Sequence, residues 1–277
     1  MPSRWPSPAK AARELARGAG MVRVGGVGAG WRFLREEVLG NGWLRLTESG
    51  HATDAKVRCN VCGWAGSRFA SHVAPGYVDT NAFCPRCKAY ARHRGFAWLL
   101  EHELGAELDA IGARGGRRLL FAPEPGLRAL LQARVGPLEG VDIDPHRAGV
   151  DLVANAEHLP LPDDSVELAV SFHVLEHVPD DAAALRELAR VLTPTGRLLL
   201  CAPMTFERHA TDEFGEARAE LNGHWREYGL DLGERLAAAG LFGPSYRFSE
   251  RLPNDEFERL ALVDEALFWV GTGATRA

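Results

Sequence analysis

From about residue 119 onward the chain predicts an α/β fold, a mostly parallel sheet with helices on both faces, and a small cysteine module precedes it. Three features carry that expectation. Short apolar segments alternate with segments of helical periodicity, which is the rhythm of consecutive strand-helix-strand units. The apolar segments lack the in-out alternation of half-exposed strands, so they belong to a sheet covered on both faces. Ahead of them, Cys59-Asn60-Val61-Cys62 and Cys84-Pro85-Arg86-Cys87 stand 21 residues apart.

Residues 1–54 read as an extension, with a Pro-rich start, an Ala/Arg-rich helical stretch near 8–17 and a helix around 31–39. Within it, Gly26-Val27-Gly28-Ala29-Gly30 has the glycine content of a phosphate-cradling loop, because glycines let backbone N–H groups approach a ligand. A nucleotide fingerprint leaves a strand and is followed about 20 residues on by an acidic residue ending the next strand. Neither condition holds, so a flexible joint is expected there. The cysteine module occupies 55–94. Phe96, Leu99, Leu100, Leu104 and Leu108 then recur at helical spacing and predict one amphipathic helix over 93–111, opening a domain over 95–277. Strands are expected at 119–122, 138–142, 150–154, 166–172 and 196–202, with helices at 127–134 and 180–192. A polar loop over 204–222 follows as a lid over the open strand ends, then a helix at 230–239, a strand near 246–249 and a last strand at 266–270.

The 277 residues, 46% hydrophobic and 25% charged, suffice for one large domain plus a small module. No window reaches the roughly 18 uninterrupted apolar residues of a membrane helix. The first residues lack the apolar core of a secretory signal. Five cysteines are too few for a disulfide framework, so a reducing compartment, the cytoplasm, is expected. The net charge of -5 divides into +9 over residues 1–100 and -14 over the rest. The basic part can face an anionic partner such as RNA, or dock a protein; equally, the two surfaces attract one another.

Each C-x-x-C pair has the tight turn that points two thiolates at one ion, and four thiolates close a tetrahedron. Cys59, Cys62, Cys84 and Cys87 are therefore expected to hold a structural Zn2+ in a zinc ribbon, and Gly63 suits the turn after the first pair. In so small a module, zinc binding is part of the folding free energy. Cys201, in an expected buried strand, reads as a small core residue.

In an open α/β sheet the ligand lies at the carboxyl ends of the strands, beside the point where strand order reverses. Asp142 ends the second strand, and a carboxylate there can accept both hydroxyls of a ribose. The third strand runs into Asn155-Ala156-Glu157 and the fourth into Ser171-Phe172-His173-Val174-Leu175-Glu176-His177. The segment ANAEHLPLPDDSVELAVSFHVLEHVPDDAAALRELARVLTPTGRLLL resembles the central region of the class I S-adenosylmethionine-dependent methyltransferases. The resemblance extends over roughly 119–270 and implies a Rossmann-like, seven-stranded sheet.

Carried over by position, the resemblance gives Asp142 the ribose hydroxyls, Asn155 the exocyclic amine of adenine, and Ala156 a backbone N–H for the ring. Ile143 and Ser171 fall among the cofactor-lining positions. His173 lies where that family exposes the methyl group to substrate. Glu176 and His177 read as a helix-entry packing motif. The first strand departs from the pattern: Ala122, Pro123, Glu124 and Gly126 stand in the glycine-rich loop, and only the last is glycine. Either Glu124 points its carboxylate at the cofactor's ammonium, or the loop has closed and cofactor binding is weak or lost. The first is favoured, because an A-P-E first loop, an N-terminal cysteine module and an H-x-x-x-Y-G element at 224–229 together resemble one subgroup of the family. His224 and Tyr228 of that element either orient substrate and move a proton or cap the following helix.

The resemblance implies methyl transfer from S-adenosylmethionine to an unidentified acceptor, a small molecule being favoured. One alternative is a ribosomal-type RNA methyltransferase, although a tight RNA binder is usually more basic, with aromatics among its basic residues. The other is a non-catalytic docking protein that keeps the fold without the cofactor.

Overall fold

The structure is a computed structural model and describes residues 8–47 and 55–273. Two compact units are present: Met1–Tyr90 with Arg218–Gly223, and Ala91–Ala217 with His224–Ala277.

The first unit begins with α1 (Pro8–Arg32), a π-helical segment (Phe33–Gly40) and α2 (Asn41–Thr47). The helix at 8–17 is thus far longer than its composition predicts. The expected flexible joint at 26–30 lies inside α1, where only Gly26 leaves helical geometry, at φ 72° and ψ -178°. Glycine tolerates that backbone without a steric penalty, so α1 is two helices that meet at Gly26, at the start of the expected joint. Two antiparallel ribbons follow: β1 (Val57–Arg58) with β2 (Ala65–Gly66), and β3 (Ala70–Val73) with β4 (Val78–Phe83). The helical segment is tied to them. Asn41 donates through Nδ2 to the carbonyl of Ser71 at 2.7 Å and accepts its N–H at 2.8 Å, while Glu37 accepts the N–H of Val73 at 2.9 Å. These bonds satisfy backbone groups on β3 that a short isolated ribbon leaves to solvent.

The second unit contains a seven-stranded sheet. Its helices begin with α3 (Ala91–His102) and α4 (Gly105–Arg114), two helices where periodicity predicts one. At Gly105 a Cβ would stand 2.6 Å from the Leu100 carbonyl, so the chain turns sharply where only glycine fits. Then come β5 (Arg117–Phe121), α5 (Pro125–Val135), β6 (Glu139–Asp142), β7 (Leu152–Val153), β8 (Val166–Phe172), α6 (Asp181–Val191) and β9 (Leu192–Ala202). Asp180 caps α6, accepting the N–H of Ala183 at 2.8 Å. The expected loop over 204–222 instead contains a strand, β10 (Asp212–Arg218), which forms a ribbon with β11 (His224–Glu227). The unit ends with α7 (Leu232–Ala238), β12 (Ser245–Arg247), the short α8 (Phe248–Arg251) and α9 (Asn254–Arg259), and β13 (Ala266–Val270).

The strand order is β12-β13-β9-β8-β5-β6-β7. Pairings from β9 to β7 are parallel, whereas β13 is antiparallel to both neighbours. The order reverses between β5 and β8, which opens a crevice at their carboxyl ends. Successive residues of β5 serve opposite faces: Leu119 and Phe121 pack with α6 and α7, Leu120 with α3, α4 and α5. Helices therefore cover both faces, as the unalternating apolar strands require.

Candidate active site and metal centre

The two cysteine turns of the first unit are built alike. Cys59 accepts the N–H of Gly63 at 2.8 Å and donates its own to Trp64 at 2.7 Å; Cys84 does the same with Lys88 and Ala89, both at 2.9 Å. The fifth residue of each turn has a positive φ, 73° at Gly63 and 65° at Lys88. The equivalence of Lys88 to Gly63 is hidden in the sequence, because the residue types differ while the backbone is the same. The Sγ atoms of Cys59 and Cys87 lie 3.6 Å apart and those of Cys62 and Cys84 3.7 Å apart. Four sulfurs each ~2.3 Å from one ion stand about 3.8 Å from one another, so the quartet already has the dimensions of a tetrahedral thiolate site.

In the second unit the crevice is flanked by two non-glycine residues in the left-handed region, Ala122 after β5 at φ 46° and His173 after β8 at φ 53°. Such backbone costs on the order of 1–3 kcal/mol and persists where the surroundings over-determine it, characteristically at functional sites. Ala122 donates its N–H to the Val141 carbonyl at 2.8 Å and His173 donates to that of Cys201 at 2.8 Å, so each turn is anchored to a strand. Pro123 is buried, and Gly126 is the second residue of α5, behind Pro125 at its first turn.

Glu124 is held on both oxygens. Oε1 accepts from Arg92 Nη2 and Oε2 faces His93 Nε2, each at 2.7 Å. Burial alone would raise its pKa, but the His93 hydrogen bond and the Arg92 charge outweigh that and bring it down to about 2. Burial pushes the pKa of His93 down, so the imidazole tends to be neutral. Glu124 is therefore a fixed carboxylate already matched by Arg92, rather than a free counter-charge. Arg92 and His93 escaped the sequence reading because they sit on α3, ahead of the sheet.

Asp142 ends β6 with its side chain 10% exposed; Oδ1 accepts the Asp144 N–H at 2.8 Å and Oδ2 accepts from Arg147 at 3.1 Å. Beside it Ile143 is 71% exposed, an apolar side chain bared at a strand end. Asn155 accepts the Glu157 N–H through Oδ1 at 3.0 Å and donates through Nδ2 to Glu157 Oε2 at 2.8 Å, which fixes its amide orientation. Ala156 is half-buried, whereas Ser171 is buried within β8, between Phe121 and Leu200.

The His173 ring is flanked by carboxylates: Nε2 lies 3.1 Å from Glu265 Oε1 and Nδ1 3.6 Å from Glu176 Oε1. Glu265 also accepts from the Cys201 thiol at 3.4 Å. Burial favours the neutral form of Glu265, but the His173 and Arg92 charges reverse that and lower its pKa. Burial raises the pKa of Cys201 well above that of a free thiol, as befits the core residue expected there. Glu265 was not anticipated. It immediately precedes β13, and because β13 runs antiparallel its first residues meet the carboxyl end of β9, with Ala266 opposite Ala202. An acidic pair, Asp264-Glu265, directly ahead of an apolar strand was the available signal.

His224 and Tyr228, expected to act together, part company. His224 is half-buried, packs edge-on to His177 at 4.8 Å, and is pushed down to about 4, chiefly by burial and then by the His177 and His173 charges. Tyr228 is fully buried and donates to Asp181 Oδ2 at 3.0 Å, and burial beside that carboxylate raises its pKa. It braces the start of α6. Arg226, between them, is also buried and donates to the carbonyls of Leu175, Val178 and Pro179 at 3.2, 2.5 and 2.7 Å.

A mostly parallel sheet with one antiparallel strand, and Ala122, Asp142 and His173 at the carboxyl ends of its central strands, is a Rossmann-like arrangement. Residues 126–200 match the family model described as a methyltransferase domain. Over that stretch, which lies within the second unit, the chain is similar to S-adenosylmethionine-dependent methyltransferases.

The chain is 42% identical over 124 residues to the uncharacterized methyltransferase YcgJ of Bacillus subtilis, spanning 44% of this chain and 45% of that protein. It is 31% identical over 139 residues to the 27-O-demethylrifamycin SV methyltransferase of Amycolatopsis mediterranei, spanning 45% and 51%. Over 50 residues it is 50% identical to the probable S-adenosylmethionine-dependent methyltransferase Rv3030 of Mycobacterium tuberculosis, spanning 18% of each. The chain thus spans about half, or less, of these relatives. Among solved structures, that of YcgJ aligns at 18% identity and a TM-score of 0.42, covering 63% of this chain and all of that one. No helix among the described residues is long and apolar enough to cross a membrane.

Proposed function

We propose that the chain transfers the methyl group of S-adenosylmethionine to a nucleophile on a small acceptor molecule, and that the cysteine quartet holds a structural Zn2+. The observation that supports the reading most strongly is the pairing at the end of β6: the largely buried carboxylate of Asp142 beside the exposed Ile143. A carboxylate suits vicinal ribose hydroxyls, and a bare aliphatic face suits the flat adenine ring. The Asn155 carbonyl oxygen keeps a lone pair beyond its bond to Glu157, enough for an exocyclic amine. The left-handed turn at Ala122 brings backbone close to the crevice without the usual glycine.

When bound, the sulfonium supplies an electrophilic methyl group, so positioning of the nucleophile carries much of the rate. His173 is the residue set to take up the acceptor's proton, and Glu265 is the carboxylate that faces its Nε2 at 3.1 Å. Glu124, matched by Arg92 and His93, retains lone pairs for the cofactor's ammonium but offers it a shared charge. A small acceptor accords with the name of one relative, the 27-O-demethylrifamycin SV methyltransferase. Zinc accords with the 3.6 and 3.7 Å sulfur separations.

Calorimetric titration with S-adenosylmethionine and its demethylated product tests the reading. Zinc-loaded protein is expected to bind both, and Asp142→Ala to weaken them by about 1.5–3 kcal/mol, as loss of a charged hydrogen-bond partner does. Folded, zinc-replete protein that binds neither compound overturns it in favour of a docking protein; turnover on RNA but not on small acceptors moves the acceptor to RNA.

A further inference from the structure

Beyond the switch-point crevice, the turn that follows β8 contains a group of donors that methyl transfer leaves unused. Glu176 is 0% exposed, and neither of its carboxylate oxygens has a hydrogen-bond partner among the described residues. The neighbouring imidazoles stand off, with His173 Nδ1 at 3.6 Å and His177 Nε2 at 3.9 Å from Oε1, outside hydrogen-bond range. A buried carboxylate left in that condition is costly unless it neutralises or meets a cation. No Lys or Arg ion pair to it is formed among the described residues; two imidazoles face it, and Cys201 and Tyr228 lie near enough to feel its charge.

Glu176, His177 and His224 each direct one ligand atom inward, all within 4.8 Å of one another. A point among three atoms so spaced lies no farther than about 2.8 Å from each, so side-chain movements of at most about 0.8 Å reach the ~2.0–2.2 Å of metal-nitrogen and metal-carboxylate bonds. Two imidazoles and one carboxylate form a donor set for a divalent transition ion. The two elements that supply them are locked together. Arg226, two residues after His224, donates to the carbonyls of Leu175, Val178 and Pro179 that bracket Glu176 and His177. Tyr228 ties the same strand to Asp181. Ligand-bearing segments fixed by buried hydrogen bonds are what a preorganised site requires.

We infer that Glu176, His177 and His224 form a binding site for a divalent transition-metal ion, separate from the cysteine quartet. Three protein donors leave at least one coordination position open to water or to a donor atom of an acceptor. The site explains why a fully buried carboxylate is tolerated there, and why two histidines converge on it from elements far apart in sequence.

The experiment is a cobalt(II) titration of full-length protein whose cysteine quartet is already filled with zinc, followed by visible spectroscopy and elemental analysis. Cobalt is expected to bind once, with weak ligand-field bands and no sulfur-to-cobalt charge transfer, while zinc stays in place. His224→Ala and His177→Ala are each expected to weaken that binding at least about tenfold, because each deletes a ligand. The His177 side chain is 39% exposed, so its truncation leaves the core intact and keeps the test valid even where the His224 variant folds poorly. No cobalt beyond the zinc, cobalt with sulfur charge transfer, or unchanged affinity in His177→Ala overturns the inference. All three outcomes are readable without any methyl-transfer activity, so they stand or fall apart from the proposed function.

Discussion

Replacing Glu124 by glutamine removes the charge that matches Arg92 and one oxygen that faces His93 while keeping the side chain's shape. The carboxyl is drawn from 4.5 to about 2 in the folded protein. Each unit of such a shift corresponds to about 1.4 kcal/mol, so ionised Glu124 contributes on the order of 3 kcal/mol at neutral pH. The folded-state pKa lies below the unfolded one. The contribution is therefore complete above about pH 4.5 and is lost as pH falls through the interval down to about 2. Glu124→Gln is accordingly expected to be less stable than the wild type by about 3 kcal/mol at pH 7, with the gap closing on acidification, because the wild-type carboxyl then also becomes neutral. Urea unfolding of both proteins at pH 7, 4 and 3, followed by tryptophan fluorescence, measures the gap. Since zinc release and other acid effects are common to the two proteins, the difference isolates this group. A gap of equal size at all three pH values would show that packing, and not charge, holds the first loop.

Ala122→Gly removes a Cβ from a φ of 46° and should raise stability by up to about 1 kcal/mol, read as a higher midpoint in the same assay; a loss of stability would mean the turn is not strained. Tyr228→Phe deletes the bond to Asp181 and should cost about 1 kcal/mol of stability while leaving cofactor affinity unchanged by calorimetry, whereas a selective loss of affinity would return Tyr228 to the active site. Chelation under reducing conditions should strip one zinc per chain and make residues 55–90 sensitive to protease, since the module's folding free energy is largely its metal binding. Cleavage at the same rate before and after chelation contradicts a structural role for the ion.

Much of the second unit was legible because its strands are continuous apolar runs bounded by turn residues. β8 and β13 fall at 166–172 and 266–270 as expected, and β5, β6, β9 and α6 within a few residues of expectation. Elements that depend on close approach were not legible. The break between α3 and α4 exists because Gly105 must meet the Leu100 carbonyl, a contact that periodicity does not encode. The β10–β11 ribbon lacks an apolar signature because β10 is exposed along nearly all its length. In the first unit, the glycine-rich run that composition assigns to a joint holds one break, at Gly26, and is otherwise helical.

The cysteine quartet, the carboxylate at the end of the second sheet strand and the strand-helix order were determined by the sequence itself, because each depends on local spacing or on the burial of a continuous segment. Only the tertiary structure decided the partners. Glu124 belongs to Arg92 and His93, Glu265 reaches His173 because β13 runs against its neighbours, and His224 meets Glu176 and His177 across nearly fifty residues of chain. Those pairings are set by where strands end and which way they run, and a one-dimensional pattern carries the ends but not the neighbours.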